Sequence, residues 1–326
     1  MLDVRLFDID RASDTDWDEL HELQFSAYQA DSPERPAFTR QETISTLRAP
    51  QVQAGEQLVW TAHRDGRLVA RAIVNLPGDG NERVAAVRIH VHPRVRRQGI
   101  GTELLHALEP KLRERGRTLV EGWNLTLGGP GESWALGLGF RIVHTAILQI
   151  MRLDEVDRRR WDAPVPGGYR LVRWIGAAPD DLVEEYAKAR GAIADAPLGE
   201  SGLAEPQWSA DRVRRIEAAC RERDIEHRAV VAVGPGGAVA GLTVMEARPL
   251  MPERLQQGDT AVLAGHRGHG LGLAMKSEML RWFTADRPGA EQVWTATGAG
   301  NTHMIEVNHR LGFATVRTGS VVNREL

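Results

Sequence analysis

Arg96-Arg97-Gln98-Gly99-Ile100-Gly101 and Arg267-Gly268-His269-Gly270-Leu271-Gly272 carry one pattern, R-x-x-G-x-G, twice in a chain of 326 residues. The copies start 171 residues apart (267 less 96), about one domain length. Each follows a β-rich stretch, residues 87–91 or 259–263. Each also opens a run with helical apolar spacing: Leu104, Leu105, Leu108 and Leu112 in the first, Leu273, Met275, Met279, Leu280 and Phe283 in the second. The glycine turn is therefore expected between a strand and a helix N-terminus. Unpaired backbone N–H groups and the positive end of the helix dipole favour an anion there, glycine lets the backbone come close, and arginine adds charge-assisted hydrogen bonds. A pyrophosphate suits both turns.

The repeat extends outward from the glycines. Residues 4–7 and 169–172 read as opening strands, each ahead of an acidic helix start at residues 14–23 or 179–190. Hairpins follow, with turns at Asp65-Gly66 and at residues 234–237. After each glycine-turn helix come a strand (118–123; 292–296), a short helix, a Gly-Phe pair (Gly139-Phe140; Gly312-Phe313) and closing strands. This places one domain at 1–153, a linker at 154–168 and a second domain at 169–326. The linker has no periodicity, and its arginines are expected to be solvated.

Composition narrows the partners. Hydrophobic residues at 42%, charged residues at 26% and a net charge of −3 describe a globular chain with no basic excess for nucleic acid. No stretch approaches the roughly 18 apolar residues of a spanning helix, and no leader is evident, so a cytoplasmic protein off the membrane is expected. The single cysteine, Cys220, excludes an intramolecular disulfide and is expected to pack in a helix. His90 and His92 share a strand face but lack a third ligand, so no metal site is expected. A dinucleotide-type G-x-G-x-x-G fails because Leu104 and Met275 stand where glycine is needed. A P-loop fails at Met275 too.

The order strand, R-x-x-G-x-G, helix, strand, short helix, Gly-Phe, strand resembles that of the GNAT superfamily of acyl-CoA N-acyltransferases. The resemblance covers essentially the whole chain, and the tandem arrangement is similar to that of mycothiol synthase-like proteins. It implies an α+β fold of two tandem GNAT domains, each a mixed, mostly antiparallel sheet flanked by helices. It also implies acetyl-CoA as cofactor. The pyrophosphate then falls to Arg96, Arg97, Gln98, Gly99, Ile100 and Gly101 in the first half, and to Arg267, Gly268, His269, Gly270, Leu271 and Gly272 in the second. The pantetheine arm pairs with the strand before, at Val91 or at Val262 and Leu263, and Asn301 orients it; Gly128 stands in the position of Asn301 in the first half.

Many relatives carry a catalytic carboxylate three residues before the V of V-x-P. The resemblance places that role on Asp259, with Glu246 as the alternative; the first half has Arg88, which cannot lose a proton near neutral pH, and only Glu82 or His90 as substitutes. The tyrosine used by many relatives as general acid is replaced by Asn308, and by Ala135 in the first half. Asn308 can donate a hydrogen bond to the leaving thiolate but not a proton, which leaves His303 or water for that step. The second half is therefore expected to acetylate the primary amine of a small, cationic acceptor. Loops 31–39 and 194–206 are expected to select it, the second through Asp195, Glu200 and Glu205. Because neither half has the tyrosine, a non-catalytic acyl-CoA-binding or sensing protein is the alternative.

Overall fold

A computed structural model of the chain describes residues 2–33, 38–48, 54–195, 199–249 and 251–326. Contacts divide it into two compact units: Met1–His144 with Gly199–Ala204 and Gly319–Leu326, and Thr145–Leu198 with Glu205–Thr318.

The first unit contains β1 (Asp3–Leu6), α1 (Asp14–Asp31), α2 (Arg40–Arg48), β2 (Glu56–Arg64), β3 (Arg67–Leu76), β4 (Val84–Val91), α3 (Ile100–Glu114), β5 (Leu119–Thr126), α4 (Pro130–Gly137) and the start of β6 (Arg141–Arg152). The second contains the rest of β6, then β7 (Arg170–Ile175), α5 (Val183–Gly191), α6 (Ala210–Glu222), β8 (Glu226–Val233), β9 (Val239–Arg248), β10 (Met251–Val262), α7 (Leu271–Asp286), β11 (Gln292–Gly298), α8 (Thr302–Leu311) and most of β12 (Ala314–Glu325). Each fold is mixed α+β.

In the first unit the strand order is β1-β2-β3-β4-β5, completed by residues 319–325 of β12 against β5. In the second it is β7-β8-β9-β10-β11, completed by residues 146–152 of β6 against β11. Pairings are antiparallel except β4 with β5 and β10 with β11. The closing strand of each sequence half thus serves the other unit, so the units cut across the boundaries at 153 and 169. Strand alternation marks which face is buried, not which sheet receives the strand, so the sequence pattern is silent on this exchange. The 154–168 stretch also differs from a solvated link. Arg158, Arg159 and Arg160 are exposed, but Trp161 is 1% exposed in the second unit's core, its indole N–H donating to the Leu311 carbonyl at 3.0 Å.

Each sheet is covered on both faces. In the first unit the α3 stripe of Ile100, Leu104, Leu105, Leu108 and Leu112 packs on Ala70, Ala72, Val74 and Val87, while α1 and α2 bring Trp17, Leu20 and Leu47 to Val59 and Ile73. In the second, Leu271, Met275, Met279, Leu280 and Phe283 of α7 pack on Val230, Ala232 and Met245, and α5 with α6 covers Val231, Leu242 and Val244. Each fully buried leucine or phenylalanine contributes about 1.5–3 kcal/mol, so these stripes fix the helices that frame the glycine turns.

The parallel pair opens early in both units. β4 and β5 pair only from Val84 with Leu119 to Ala86 with Glu121, and β10 and β11 only from Arg254 with Gln292 to Gln256 with Trp294. Beyond that point the strands diverge, and the β10 backbone ahead of the glycine turn is free of ladder bonds on its β11 side. The neighbouring pairings differ. β3 and β4 run in unbroken register from Asn75 with Ala86 to Ala70 with Val91. β10 slips against β9 between Gln257, which faces Met245, and Thr260, which faces Thr243. Gly258 and Asp259 together oppose Val244, forming a β-bulge. A Cβ on Gly258 would stand 2.9 Å from Val244 Cγ2, so a side chain there would force Val244 to shift.

Candidate active site

The two glycine turns have one build. After Val91 a 3₁₀ turn (Pro93–Val95) leads to Arg97 and Gly99 in the left-handed region, with φ of 64° and 79°, and Gly99 caps α3. After Val262 a 3₁₀ turn (Ala264–His266) leads to Gly268 and Gly270, with φ of 82° and 79°, and Gly270 caps α7. A Cβ at Gly268 or Gly270 would meet nothing within 4 Å, so backbone conformation, not crowding, calls for glycine and the turn stays open.

The motif arginines tie the turns down. Arg96 donates from Nε to the Val91 carbonyl at 3.1 Å and from both terminal nitrogens to Asp31 at 2.7 and 2.8 Å. Arg267 repeats this, from Nε to the Val262 carbonyl at 3.0 Å and from Nη2 to Asp195. With the guanidinium groups engaged by aspartates, the unpaired N–H groups of the helix start are what the turn offers an anion. Gln98 accepts from Arg64 at 3.0 Å, and the His269 ring contacts the Arg267 carbonyl at 3.0 Å. Ile100 and Leu271 are buried beneath, and Gly101 and Gly272 continue the first helical turn. An open glycine turn beside the unpaired edge of β10 fits the pyrophosphate and pantetheine of coenzyme A.

Asp259 sits on the bulge where β10 has left β11. Its Oδ2 accepts from Arg190 Nη2 at 2.7 Å; Arg190, at the end of α5, is 4% exposed while Asp259 is 40% exposed. Burial disfavours the Arg190 charge, but Tyr186, Asp259 and Glu246 together outweigh it and hold that guanidinium above its ordinary pKa. Its face stacks on Trp208, 4.1 Å from the ring centroid. Glu205 is a near neighbour: burial first and the Asp259 charge second push its carboxyl above the usual range.

Glu246 lies elsewhere on the same side. It faces Gln256, in the stretch where β10 still pairs with β11, and contacts His227 Nδ1 at 3.2 Å. Burial alone would raise its pKa, but His227, Arg248 and Arg190 hold it below the carboxylate norm. The donor atoms of Cys220, His227 and Glu246 all lie within 4.8 Å of one another. Cys220 packs in α6 as expected, and burial pushes its thiol up to about 11. The sequence did not bring these three together, because residues on a helix and two strands carry no common spacing.

Asn301 caps α8, its Oδ1 accepting from the Met304 amide at 3.2 Å, and His303 is exposed on the first turn of that helix. Asn308 is fully buried; one amide N–H donates to Gln149 Oε1 at 2.7 Å and its own Oδ1 has no partner. In the first unit, Gly128 stands in a turn with φ of 70°, its N–H donating to Glu132, and Ala135 is buried. Glu82 accepts from the Gly80 amide at 3.1 Å in the turn ahead of β4, and these backbone hydrogen bonds lower its pKa. His90 stacks on Tyr28.

The acidic loop reads differently in three dimensions. Asp195 is engaged by Arg267, and Glu200 pairs with Arg141 at 2.9 Å inside the first unit, so only Glu205 joins Asp259. Residues 199–204 are held by first-unit groups: the Ser201 hydroxyl and Gly202 amide donate to Glu121 at 2.8 and 2.6 Å, and Ala204 exchanges hydrogen bonds with Asn81. Residues 34–37 and 196–198 of the two loops lie outside the described residues. Arg190, Tyr186 and Trp208 carried no signal in the sequence, since a helical arginine reads as a solvated one until a carboxylate faces it.

The sequence profile of the Acetyltransferase (GNAT) family matches residues 17–126 and 199–313, more than half of the chain. The chain belongs to that family; it is an acyltransferase with two GNAT domains and acetyl-CoA as acetyl donor. It is 29% identical to a mycothiol acetyltransferase of Salinispora arenicola (strain CNS-205) over 287 residues, 83% of this chain and 82% of the relative. In fold it is similar to a tandem GNAT protein from the clavulanic acid biosynthesis pathway, with a TM-score of 0.80 and 24% identity over 100% of this chain and 98% of the other. A GCN5-related N-acetyltransferase from Sphaerobacter thermophilus matches with a TM-score of 0.74 and 18% identity, covering 99% and 95%. Among the described residues no helix is long and apolar enough to cross a membrane.

Proposed function

We propose that the protein transfers an acetyl group to the primary amine of a small acceptor, and that the second unit performs the chemistry. The supporting observation is the bulge of β10, which sets Asp259 at the point where the parallel pair has opened. Gly268, Gly270 and the N-terminal amides of α7 hold the pyrophosphate, the β10 edge up to Val262 and Leu263 pairs with pantetheine, and Asn301 lies at the start of α8 beside it. Bound acetyl-CoA supplies the acetyl thioester. An incoming ammonium must lose a proton before it can attack, and Asp259 accepts it directly or through one water. Arg190 is a positioning residue whose 2.7 Å bond fixes one carboxylate oxygen. Glu205 gives the ammonium a second acidic neighbour, which suits a cationic acceptor. Likeness to a mycothiol acetyltransferase supports a small-molecule acceptor.

The test is a panel of primary amines with acetyl-CoA, following thiol release and acetylated product together. The wild type turns over at least one amine, one thiol per product. Gly270→Val forces a β-branched residue into a left-handed conformation, a strain of about 1–3 kcal/mol, and loses acetyl-CoA binding in the second unit together with turnover. Turnover that survives Gly270→Val places the chemistry elsewhere. Tight acetyl-CoA binding with no turnover on any amine makes the protein a binder.

A further inference from the structure

Arg71, on β3 of the first unit, is 2% exposed, and among the described residues its Nε and Nη1 have no hydrogen-bond partner. Two other buried arginines are matched by carboxylates: Arg190 by Asp259, and Arg228 by Glu226 at 2.5 Å and Asp286 at 2.7 Å. Burial pushes Arg71 down to about 10, Tyr28 opposes that, and the like charge of Arg88 adds to it. An uncompensated buried charge costs several kcal/mol. The sheet does not require one here. Gly241 faces Val262 as Ala70 faces Val91, so the second unit's counterpart of Arg71 is Leu242, buried and apolar.

The surroundings share one character. Arg71 faces His90 across the ladder and Ile73 faces Arg88, so these side chains lie on the sheet face that α1 covers, where Ile73 packs against Trp17 and Leu20. Tyr28 of α1 stands with its ring 5.4 Å from that of His90 and 5.1 Å from that of Phe38. On β5, Trp123 alternates onto this face, and its buried indole N–H has no partner. Arg88 is exposed, and Tyr28, Phe38 and His90 are partly exposed, so solvent reaches the edge of the cluster. Among the described residues, Nε and Nη1 of Arg71 and the indole N–H of Trp123 are buried donors without acceptors, and exposed Arg88 has no carboxylate partner, beside the strand that leads into the first glycine turn.

We propose that this face of the first unit binds a carboxylate, with Arg71 as its buried anchor and Arg88 at its mouth. A planar carboxylate matches the guanidinium fork and supplies the missing charge. The carboxylate belongs either to a free carboxylic acid or to the acyl group of a coenzyme A thioester seated in the first glycine turn. The proposal goes beyond the proposed amine acetylation and stands apart from where that chemistry occurs.

Calorimetry on the full chain separates the sources, with succinate as the free acid and succinyl-CoA against acetyl-CoA as the thioesters. Arg71→Leu installs the residue the second unit already has. A charge-assisted hydrogen bond lost from a buried pair lowers affinity about 10- to 100-fold. Succinate binding that weakens by that factor in Arg71→Leu identifies a free acid. A preference for succinyl-CoA over acetyl-CoA that disappears in Arg71→Leu identifies an acyl-borne carboxylate. Arg88→Ala weakens the same binding to a smaller degree. Thermal unfolding without ligand gives a second readout: Arg71→Leu raises Tm, because an unmatched charge is gone. Wild-type affinities retained by Arg71→Leu, no binding of either succinyl probe beyond acetyl-CoA, or a lowered ligand-free Tm would each overturn the proposal.

Discussion

In the first unit β4 runs beside β3 without a break from Ala86 to Val91, and Arg88 stands three residues before the end of the strand. In the second unit β10 carries a bulge at Gly258 and Asp259, and the residue three before Val262 is that aspartate. The glycine turns that follow are near copies, with left-handed residues at the same steps and an arginine bound to the strand carbonyl and to an aspartate in both. The contrast separates two requirements. Holding a pyrophosphate at such a turn is work for the backbone, which tolerates wide changes in side chains. Removing a proton needs a carboxylate, and on the proposed reading Asp259, aimed by one extra residue of β10, gives the second unit what Arg88 cannot give the first.

With Asp259 as the proposed base, Arg190 is the strongest lever on that difference after Asp259 itself. Arg190→Leu leaves Asp259 without the donor that fixes it, and a base displaced by about an ångström costs on the order of 100-fold in rate. Steady-state kinetics should show kcat falling about 10- to 100-fold while calorimetry shows acetyl-CoA affinity unchanged. A kcat equal to or above wild type would mean that the ion pair restrains catalysis, and that the two units differ for another reason.

A smaller effect comes from the helices under the turns. Lys276 of α7 occupies the position that Leu105 has in α3, and both are buried. Burial pushes Lys276 down to about 7 from an unfolded value of 10.5. Between those values the unfolded chain holds more protons than the folded one, so stability rises with pH across that window, and the penalty is complete below pH 7. Lys276→Leu, which copies the first unit, should stabilise the protein by about 1–3 kcal/mol at pH 6 and less at pH 9. Urea unfolding at the two pH values measures this; an equal gain at both would show that packing, not charge, separates the helices.

Much of this was legible in the residues. The doubled R-x-x-G-x-G, the apolar stripes of α3 and α7 and the Gly-Phe pairs gave the tandem fold, because turn chemistry and helix spacing are local. Two features were not legible, for different reasons. The exchange of residues 146–152 and 319–325 between sheets leaves strand alternation unchanged, so the chain reads as two blocks. The bulge hides inside a constant repeat: Asn75 and Glu246 are 171 apart, yet their partners Ala86 and Gln256 are 170 apart (256 less 86), and that one-residue difference appears only once the ladders are paired. At the candidate site, Asp259 was named from the family resemblance, by its place three residues before Val262, and its role as base is the proposal above. Arg190 and Trp208 were not, since α5 and α6 meet β10 only in the fold.

The most direct measurement is the turnover of Asp259→Asn on an accepted amine, with acetyl-CoA affinity measured on the same sample and Glu246→Gln and Glu82→Gln alongside. Loss of a general base costs about a hundred- to ten-thousand-fold. Asp259→Asn should show that loss in kcat with affinity unchanged, and Glu82→Gln should match the wild type. Full turnover by Asp259→Asn with loss in Glu246→Gln would move the base to β9, and loss in Glu82→Gln alone would contradict the assignment of chemistry to the second unit.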